Sequence, residues 1–208
     1  MNMAVSGKIC SGKSLVRNRI KQHGFQSVSL AAPLKQLADI AIDGEPHEAL
    51  FLIEDITEDF YYAAQMYAGW YKLAFDWEAE LRSGHKPRHF LQELGTMMRS
   101  FPNYQNILVD HLLRTCLGDD YVCDDLRYQN EAKAFRKHNW VLVRCECPEE
   151  IRRERCIKLY GKFGSEQEHP TEIDLDNWED WDFVVDTSVT KEQQAKVVDK
   201  IMQSLYPQ

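Results

Sequence analysis

Residues Gly7-Lys8-Ile9-Cys10-Ser11-Gly12-Lys13-Ser14 have the spacing of a phosphate-binding loop, the P-loop. They fit the pattern G-x-x-x-x-G-K-[ST], in which backbone N–H groups surround phosphate oxygens. The glycines allow close wrapping of the backbone, and the N-terminus of a following helix adds partial positive charge. In this chemistry Lys13 reaches the β- and γ-phosphates, and the Ser14 hydroxyl binds Mg²⁺. The motif therefore predicts a nucleoside triphosphate site from Gly7 to Leu15.

The residues on either side of the P-loop have the pattern that the motif requires. The mostly apolar run Met1–Ser6 predicts a strand, and Leu15–Gln22 predicts a helix. Another apolar run, Tyr121–Cys123, is followed by two aspartates, and an acid at the end of such a strand positions Mg²⁺ in phosphoryl transfer. We therefore predict Asp125 as a second metal ligand beside Ser14.

Two groups of cations are candidates for binding a second anionic ligand. Pro33 predicts the start of a helix, and Lys35 in its first turn opposes the helix dipole. An anionic ligand at that terminus would explain Lys35, and a solvated lysine is the alternative. Lys86, Arg88 and Arg99 form the other group, which either holds a phosphate or is solvated.

A basic helix and a polar loop in the last third of the chain have the pattern of a lid. The helix begins at Pro148, and its far part carries Arg152, Arg153, Arg155 and Lys158. The polar loop Gly161–His169 follows. Such a pair is typical of a lid that closes over a substrate, whereas a solvated charged helix is the alternative. We predict the lid over residues 152–172.

Strand and helix patterns alternate along the chain, which predicts parallel β–α units in one domain over residues 1–208. The strands are expected at residues 1–6, 26–30, 121–123, 140–145 and 182–186. An aromatic-rich stretch, residues 51–81, predicts a long amphipathic helix within a helical insertion over residues 44–85. Its aromatic residues either form a packed core, or one of them stacks on a base or seals a dimer.

Composition and charge narrow the class of partner. Of the 208 residues 44% are hydrophobic and 28% charged, as in ordinary globular proteins. A net charge of −8 argues against a broad nucleic-acid surface, although a local basic pocket can still bind a small anion. We expect no membrane segment, reduced cysteines and a cytoplasmic location, with Cys10 in the P-loop as a candidate reactive thiol.

Four further segments resemble those of the bacteriophage deoxynucleoside monophosphate kinases, a branch of the P-loop nucleoside monophosphate kinases. They occur in the family's order and span nearly the whole chain: Ser29–Lys35, Arg88 with Leu91–Thr96, Asp125–Ala132 and His169–Glu172. The resemblance implies an α/β P-loop kinase fold. This fold has a mostly parallel five-stranded sheet flanked by helices, a helical insertion and a small lid.

The resemblance also implies an activity: transfer of the γ-phosphoryl group of ATP, with Mg²⁺, to a deoxynucleoside 5′-monophosphate. The diphosphate product would supply phage DNA synthesis in the host cytoplasm. Lys13, Arg152 and Arg155 would act on the transferring group. The acceptor would contact Leu34, Lys35, Arg88, Gln92, Gly95, Thr96, Leu108 and Arg127. The implied partners are nucleotides, with neither nucleic acid nor membrane, and a homodimer is one expectation for the aromatic insertion.

Some positions differ from the family pattern, and two other functions stay open. Ile107 and Leu108 stand where relatives often have a tryptophan on the nucleotide, and Asp186 stands where they have asparagine. The preferred base is therefore not predicted. One alternative is a P-loop kinase for another small acceptor, and the other is a nucleotide-binding regulatory protein without transfer. The intact Lys13 and Ser14 favour transfer.

Overall fold

A computed structural model describes residues 1–43, 58–74, 88–118 and 120–206 of the chain. Its five strands form one parallel sheet with the order β2-β3-β1-β4-β5. The strands are β1 Met3–Ser6, β2 Gln26–Val28, β3 Tyr121–Leu126, β4 Val141–Glu146 and β5 Phe183–Asp186. The predicted five-stranded parallel sheet is thereby confirmed.

The chain divides into two compact units. The first consists of Met1–Ser29 with Leu113–Gln208 and contains the sheet, and the second is Leu30–Leu112. Helices of the first unit are α1 Lys13–Lys21, α6 Gln129–Lys137, α7 Glu149–Tyr160, α8 Pro170–Ile173 and α9 Lys191–Leu205. Helices that lie wholly or partly in the second are α2 Ala31–Asp43, α3 Glu58–Ala74, α4 Arg88–Ser100 and α5 Ile107–Thr115.

The core of the first unit lies between the sheet and helices α1 and α9. All of β1 is buried, as is usual for a central parallel strand covered on both faces. The core includes Met3, Val5, Val16, Ile20, Val143, Val185, Val198 and Met202. Thr190 begins α9 with a capping box, in which its hydroxyl accepts the Gln193 N–H at 3.3 Å. These contacts hold the start of α1, and thus the P-loop, against the sheet.

The second unit is a cluster of helices around an apolar core. Phe60 on α3 is fully buried and makes edge contacts with Phe101 and Tyr104, with ring centroids 5.1 and 5.7 Å apart. Phe60 is therefore a core residue, as the packed alternative for the aromatic stretch expects. Residues 44–57 and 75–87, which complete the predicted insertion and include Lys86, lie outside the described residues.

Some element boundaries differ from the predictions. Helix α2 begins at Ala31, because proline is tolerated anywhere in the first turn and alanine favours helix. Lys35 is thus past the first turn, and the argument from the helix dipole was wrong. Strand β3 continues to Leu126, with a bulge where Val5 stands opposite both aspartates, Asp124 and Asp125. The predicted polar loop contains a 3₁₀ turn, Ser165–Glu168.

Candidate active site

The P-loop has a backbone conformation that depends on its two glycines. Gly7 has φ 153° and Gly12 has φ 92°, values that L side chains rarely adopt. A Cβ atom on Gly7 would lie 2.5 Å from Ser11 Oγ and 2.7 Å from the Cys145 carbonyl oxygen. Gly12 directly precedes α1 as its N-cap. The loop therefore presents its amides at a helix N-terminus, the usual arrangement for binding phosphate.

Thr187, which follows β5, binds the P-loop through the backbone of Ser11. It is fully buried, and its hydroxyl makes a short hydrogen bond to the Ser11 carbonyl. Its backbone N–H donates to the Glu146 carbonyl at 2.8 Å, and Gln194 donates to its carbonyl at 3.0 Å. No sequence motif indicated Thr187, because its role depends on contacts between segments far apart in the chain.

Lys13 is held inside the loop rather than extended into solvent. Its Nζ donates to the carbonyl of Lys8 at 2.8 Å and makes a short hydrogen bond to that of Gly7. Burial, and then the charge of Arg127, lowers the pKa of Lys13 to about 7, against smaller opposing effects of Glu172, Cys145 and Asp124. A bound phosphate would favour the charged lysine, because an opposite charge nearby raises the pKa of an amine.

Two of the four predicted lid cations contact the P-loop. The Arg152 side chain is only 6% exposed, and its Nη1 lies 3.5 Å from the Ile9 carbonyl and 2.7 Å from Gln167 Oε1. Arg155 Nη1 lies 3.5 Å from the Cys10 carbonyl, while its Nη2 donates to the Thr187 carbonyl at 2.8 Å. The alternative of a solvated charged helix does not describe these two arginines. It does describe Arg153 and Lys158, which are exposed.

Glu172, which is buried, forms an ion pair with the partly exposed Arg127 against the same loop. Arg127 Nη1 lies 2.9 Å from Glu172 Oε1 and 3.3 Å from the Gly7 carbonyl oxygen. The other carboxylate oxygen, Oε2, accepts the Ile9 N–H at 2.5 Å. The sequence analysis gave Glu172 no role, although it ends a segment that resembles the kinase family. An acidic residue in a polar segment carries no signal for this tertiary contact.

The candidate metal ligands supply oxygen atoms, which suit Mg²⁺. Ser14 is exposed in the first turn of α1, and Asp125 accepts a hydrogen bond from the Ser29 hydroxyl at 2.6 Å. Asp124, paired with Arg17 at 3.1 Å, is the aspartate of the two that affects the Lys13 pKa. Among the described residues, no group of three or more acidic, His or Cys side chains is arranged to hold a metal ion, but Mg²⁺ on a nucleotide needs only one or two carboxylates. Asp124 thus joins Asp125 as a candidate.

A cavity of about 580 Å³ lies beside the P-loop, a size typical of small-molecule sites. Its lining combines cations with the last residues of β4 and β5 and those that follow them, and includes Lys8, Arg144, Arg152, Glu146, Asp186, Pro148 and Ser188. Arg144 lies over the ring of Trp181, with its Cζ 5.6 Å from the ring centroid, and reaches Asp176 at 3.3 Å. The cavity therefore has room for a small ligand beside the P-loop, with both cations and acids in its wall.

The second unit contains most of the residues predicted to contact an acceptor. Leu34 and Leu108 belong to its buried apolar cluster. Gly95 faces Leu34 closely, because a Cβ at position 95 would lie 3.3 Å from Leu34 Cδ2 and 3.0 Å from Arg99 Nη1. Arg99 itself donates to the Gly95 carbonyl at 3.0 Å.

The remaining predicted acceptor residues of this unit lie at its surface or are partly described. Thr96 is exposed, and its hydroxyl donates to the Gln92 carbonyl at 2.9 Å. Gln92 and Lys35 are partly buried. Arg88 begins helix α4, but its side chain lies outside the described part of the chain. The acceptor roles of all these residues stay predictions.

None of the helices in the described ranges combines the length and the apolar character that crossing a membrane requires.

The parallel sheet, its strand order and the glycine-dependent loop before α1 define a P-loop kinase fold, and solved structures support this class. A protein designated TT1252 from Thermus thermophilus aligns with a TM-score of 0.52 and 16% identity, covering 99% of this chain and 97% of that chain. Shikimate kinase from Acinetobacter baumannii, in complex with shikimate, aligns with a TM-score of 0.50 and 15% identity, covering 98% and 92%. At such identities the likeness confirms the predicted fold alone. No family model and no curated protein matches the sequence.

Proposed function

We propose that this protein is an ATP-dependent phosphotransferase whose acceptor is a deoxynucleoside 5′-monophosphate. The observation that carries the proposal is a set of four cations that all contact backbone carbonyls of the P-loop: Lys13, Arg127, Arg152 and Arg155. Phosphoryl transfer requires that charge be neutralised on both sides of the moving group, and cations from several elements can do this. A protein that only bound a nucleotide would not need them all.

Each group has a role that follows from its chemistry. Amides of the loop Gly7–Leu15 other than that of Ile9, which donates to Glu172, hold the donor phosphates, and Lys13 becomes charged as the phosphates enter. Arg152 and Arg155 exchange loop carbonyls for phosphoryl oxygens. Mg²⁺, held with ATP by Ser14 and Asp125 or its neighbour Asp124, neutralises charge on the β- and γ-phosphates. Exclusion of water from the buried site then limits hydrolysis.

The nature of the acceptor rests on the resemblance of the four sequence segments. They include Lys35 and Arg88, the cations suited to the acceptor phosphate, and Leu34, Gln92, Gly95 and Thr96, whereas Leu108 lies at a position that differs from the family pattern. A diphosphate product fits a supply of nucleotide precursors. The likeness to a shikimate kinase is one of fold, so it does not favour another acceptor over a nucleotide.

The test is a coupled ADP-release assay with ATP and Mg²⁺ against dAMP, dGMP, dCMP, dTMP, the matching ribonucleotides, shikimate and gluconate. We expect turnover on at least one deoxynucleotide, with little ADP release when no acceptor is present. Turnover only on a non-nucleotide would support a kinase with another acceptor. ATP binding without turnover on any compound would support the regulatory alternative.

A further inference from the structure

Glu172 is a buried acid whose side chain is not used by its own helix. His169 caps α8 by accepting the Thr171 N–H at 3.2 Å, and Pro170 is the first helical residue. Glu172 is then the third, the position from which a glutamate commonly bonds back to the cap residue. Instead its carboxylate reaches the P-loop at the Ile9 N–H and the side chain of Arg127.

Burial makes these two contacts costly to break. The Glu172 side chain is 4% exposed, and a buried carboxylate is tolerated only when it is paired and hydrogen-bonded. One oxygen satisfies a loop amide, and the other pairs with a guanidinium. Glu172 therefore connects the end of the predicted lid region, the P-loop and the segment after β3.

Arg127 is held by acids at both its backbone and its side chain. A second buried acid, Glu131, accepts the Arg127 backbone N–H at 2.9 Å. The hydrogen bonds of the guanidinium within the described residues all involve Nη1, so Nε and Nη2 keep their N–H groups available. The side chain is 25% exposed, and Nε with Nη2 forms the fork that binds phosphate oxygens in a bidentate manner.

We propose that Glu172 is a positioning residue, which holds Arg127 against the P-loop so that the free edge of its guanidinium binds the transferring phosphoryl group. This inference rests on the proposed function. Glu172 itself accepts hydrogen bonds and does not touch the substrate. It acts by fixing one nitrogen of Arg127 and one amide of the loop before the donor arrives, which removes an ordering cost from the transfer step.

The contact between Glu172 and the Ile9 N–H has a second interpretation, which an experiment can distinguish from positioning. A carboxylate on a P-loop amide resembles a phosphate oxygen, so Glu172 could occupy the donor site and leave it when ATP binds. Positioning predicts a loss of turnover without Glu172. Competition predicts tighter binding of ATP without Glu172, because the nucleotide no longer displaces an internal anion.

The experiment is a double-mutant cycle in the full-length protein with Glu172→Gln, Arg127→Met and the pair. Steady-state kcat and KM are measured for ATP and for the accepted nucleotide, with the Kd for ATP from calorimetry. Glu168→Gln is the matched control, since Glu168 is an exposed glutamate of the same segment. Melting temperatures show whether each variant folds, and Glu172→Asp, which keeps the charge, replaces Glu172→Gln if the latter does not fold.

We expect Glu172→Gln to lower kcat on the order of 100-fold, as loss of alignment by about 1 Å does in other enzymes. Adding it to Arg127→Met should cost little more, because residues that act as a unit are not additive. Additive losses, or tighter ATP binding at unchanged kcat, would overturn the proposal. A wild-type protein that transfers nothing overturns the proposed function and this inference together, whereas an active wild type with an active Glu172→Gln variant overturns the inference alone.

Discussion

The two units of the molecule differ in what they bury. Every polar or charged residue buried in the described part of the chain belongs to the first unit: Ser6, Ser11, Lys13, Glu131, Arg152, Glu172, Thr187 and Gln194. The second unit buries leucine, phenylalanine, methionine and other apolar side chains. Burying a polar group lowers the free energy of unfolding unless the group finds a hydrogen-bonding partner. The first unit therefore needs a network of such partners, and this network also holds the site in a fixed geometry.

If the proposed function holds, this difference predicts that the first unit performs the chemistry and that the second selects the acceptor. In the first unit, the cations that contact the P-loop are bound by backbone carbonyls and, for Arg127, by the carboxylate of Glu172. In the second unit, Thr96 is exposed and Lys35 and Gln92 are partly buried. We expect substitutions in the first unit to affect the rate of transfer, and substitutions at the surface of the second to affect acceptor affinity.

The largest effect is expected for Lys13→Ala. Loss of the P-loop ammonium should reduce transfer on the order of 1,000-fold, as removal of other preorganised charge-stabilising groups does. The fold should survive, because the change removes a buried group whose pKa is already lowered to about 7. Lys21→Ala, an exposed lysine in the last turn of α1, is the control. Near-normal turnover of Lys13→Ala in the ADP-release assay would remove the P-loop assignment.

Arg155→Ala should show that contact with the P-loop, and not charge alone, matters in helix α7. We expect kcat to fall about 100-fold with little change in the KM values, because the arginine acts in the transition state. Arg153→Ala removes the same charge from an exposed position of the same helix and should stay within about twofold of wild type. Equal losses in both variants would indicate that only the overall charge of the helix is needed.

Arg88→Ala tests whether the second unit serves the acceptor. The KM for the deoxynucleotide should rise about tenfold or more, because a charged hydrogen bond to a phosphate is lost, while the KM for ATP changes little. Initial rates with each substrate varied in turn measure the two KM values separately. Comparable increases in both KM values would assign Arg88 to the donor or to the fold.

The smallest effect is expected from pH and concerns Lys13 in the first unit. Its pKa of about 7 in the free protein lies below the value of an ordinary lysine, so ATP must restore a proton as it binds. ATP affinity should therefore weaken as pH rises, by roughly five- to tenfold between pH 7.5 and 8.5, where the free lysine is increasingly neutral. Cys145, Asp124, Arg127 and Glu172 are the neighbours that shift this group. A Kd for ATP that does not change over this range, measured by calorimetry, would contradict the lowered pKa.

The lowered pKa of Lys13 also predicts how the free energy of unfolding depends on pH. The expected change is opposite in sign to that of an ion-paired lysine, whose pKa is raised by folding. The unfolded chain binds the proton up to its ordinary pKa of 10.5, whereas the folded protein releases it near 7. The contribution of Lys13 to the free energy of unfolding therefore rises with pH between these values. In Lys13→Ala this rise should be absent, which denaturant unfolding at pH 7 and pH 9 measures.

The amino-acid sequence by itself determined the fold class and the position of the P-loop, in which the donor site is predicted. A motif such as Gly7–Ser14 is local, and its spacing alone sets the turn, the amides and the following helix. The apolar runs of β1, β3 and β4 likewise predicted these strands to within a few residues, since buried parallel strands are nearly continuous in hydrophobicity. Strand β2, Gln26–Val28, was also predicted, although it is polar and mostly exposed. The resemblance singled out Arg152 and Arg155 among the lid cations, and these two contact the loop, while their predicted role on the transferring group stays a prediction.

Only the tertiary structure decided which polar groups hold the site together. Thr187 and Glu172 contact P-loop residues more than 160 positions away in sequence, and neither has a local pattern that marks it. Likewise, the bulge in β3 places both Asp124 and Asp125 opposite β1, so that Asp124 is a candidate metal ligand as well as Asp125. Contacts of this kind depend on strand register and on the packing of distant segments. A single sequence specifies them through the energy of the whole fold, and not through spacing that can be read along the chain.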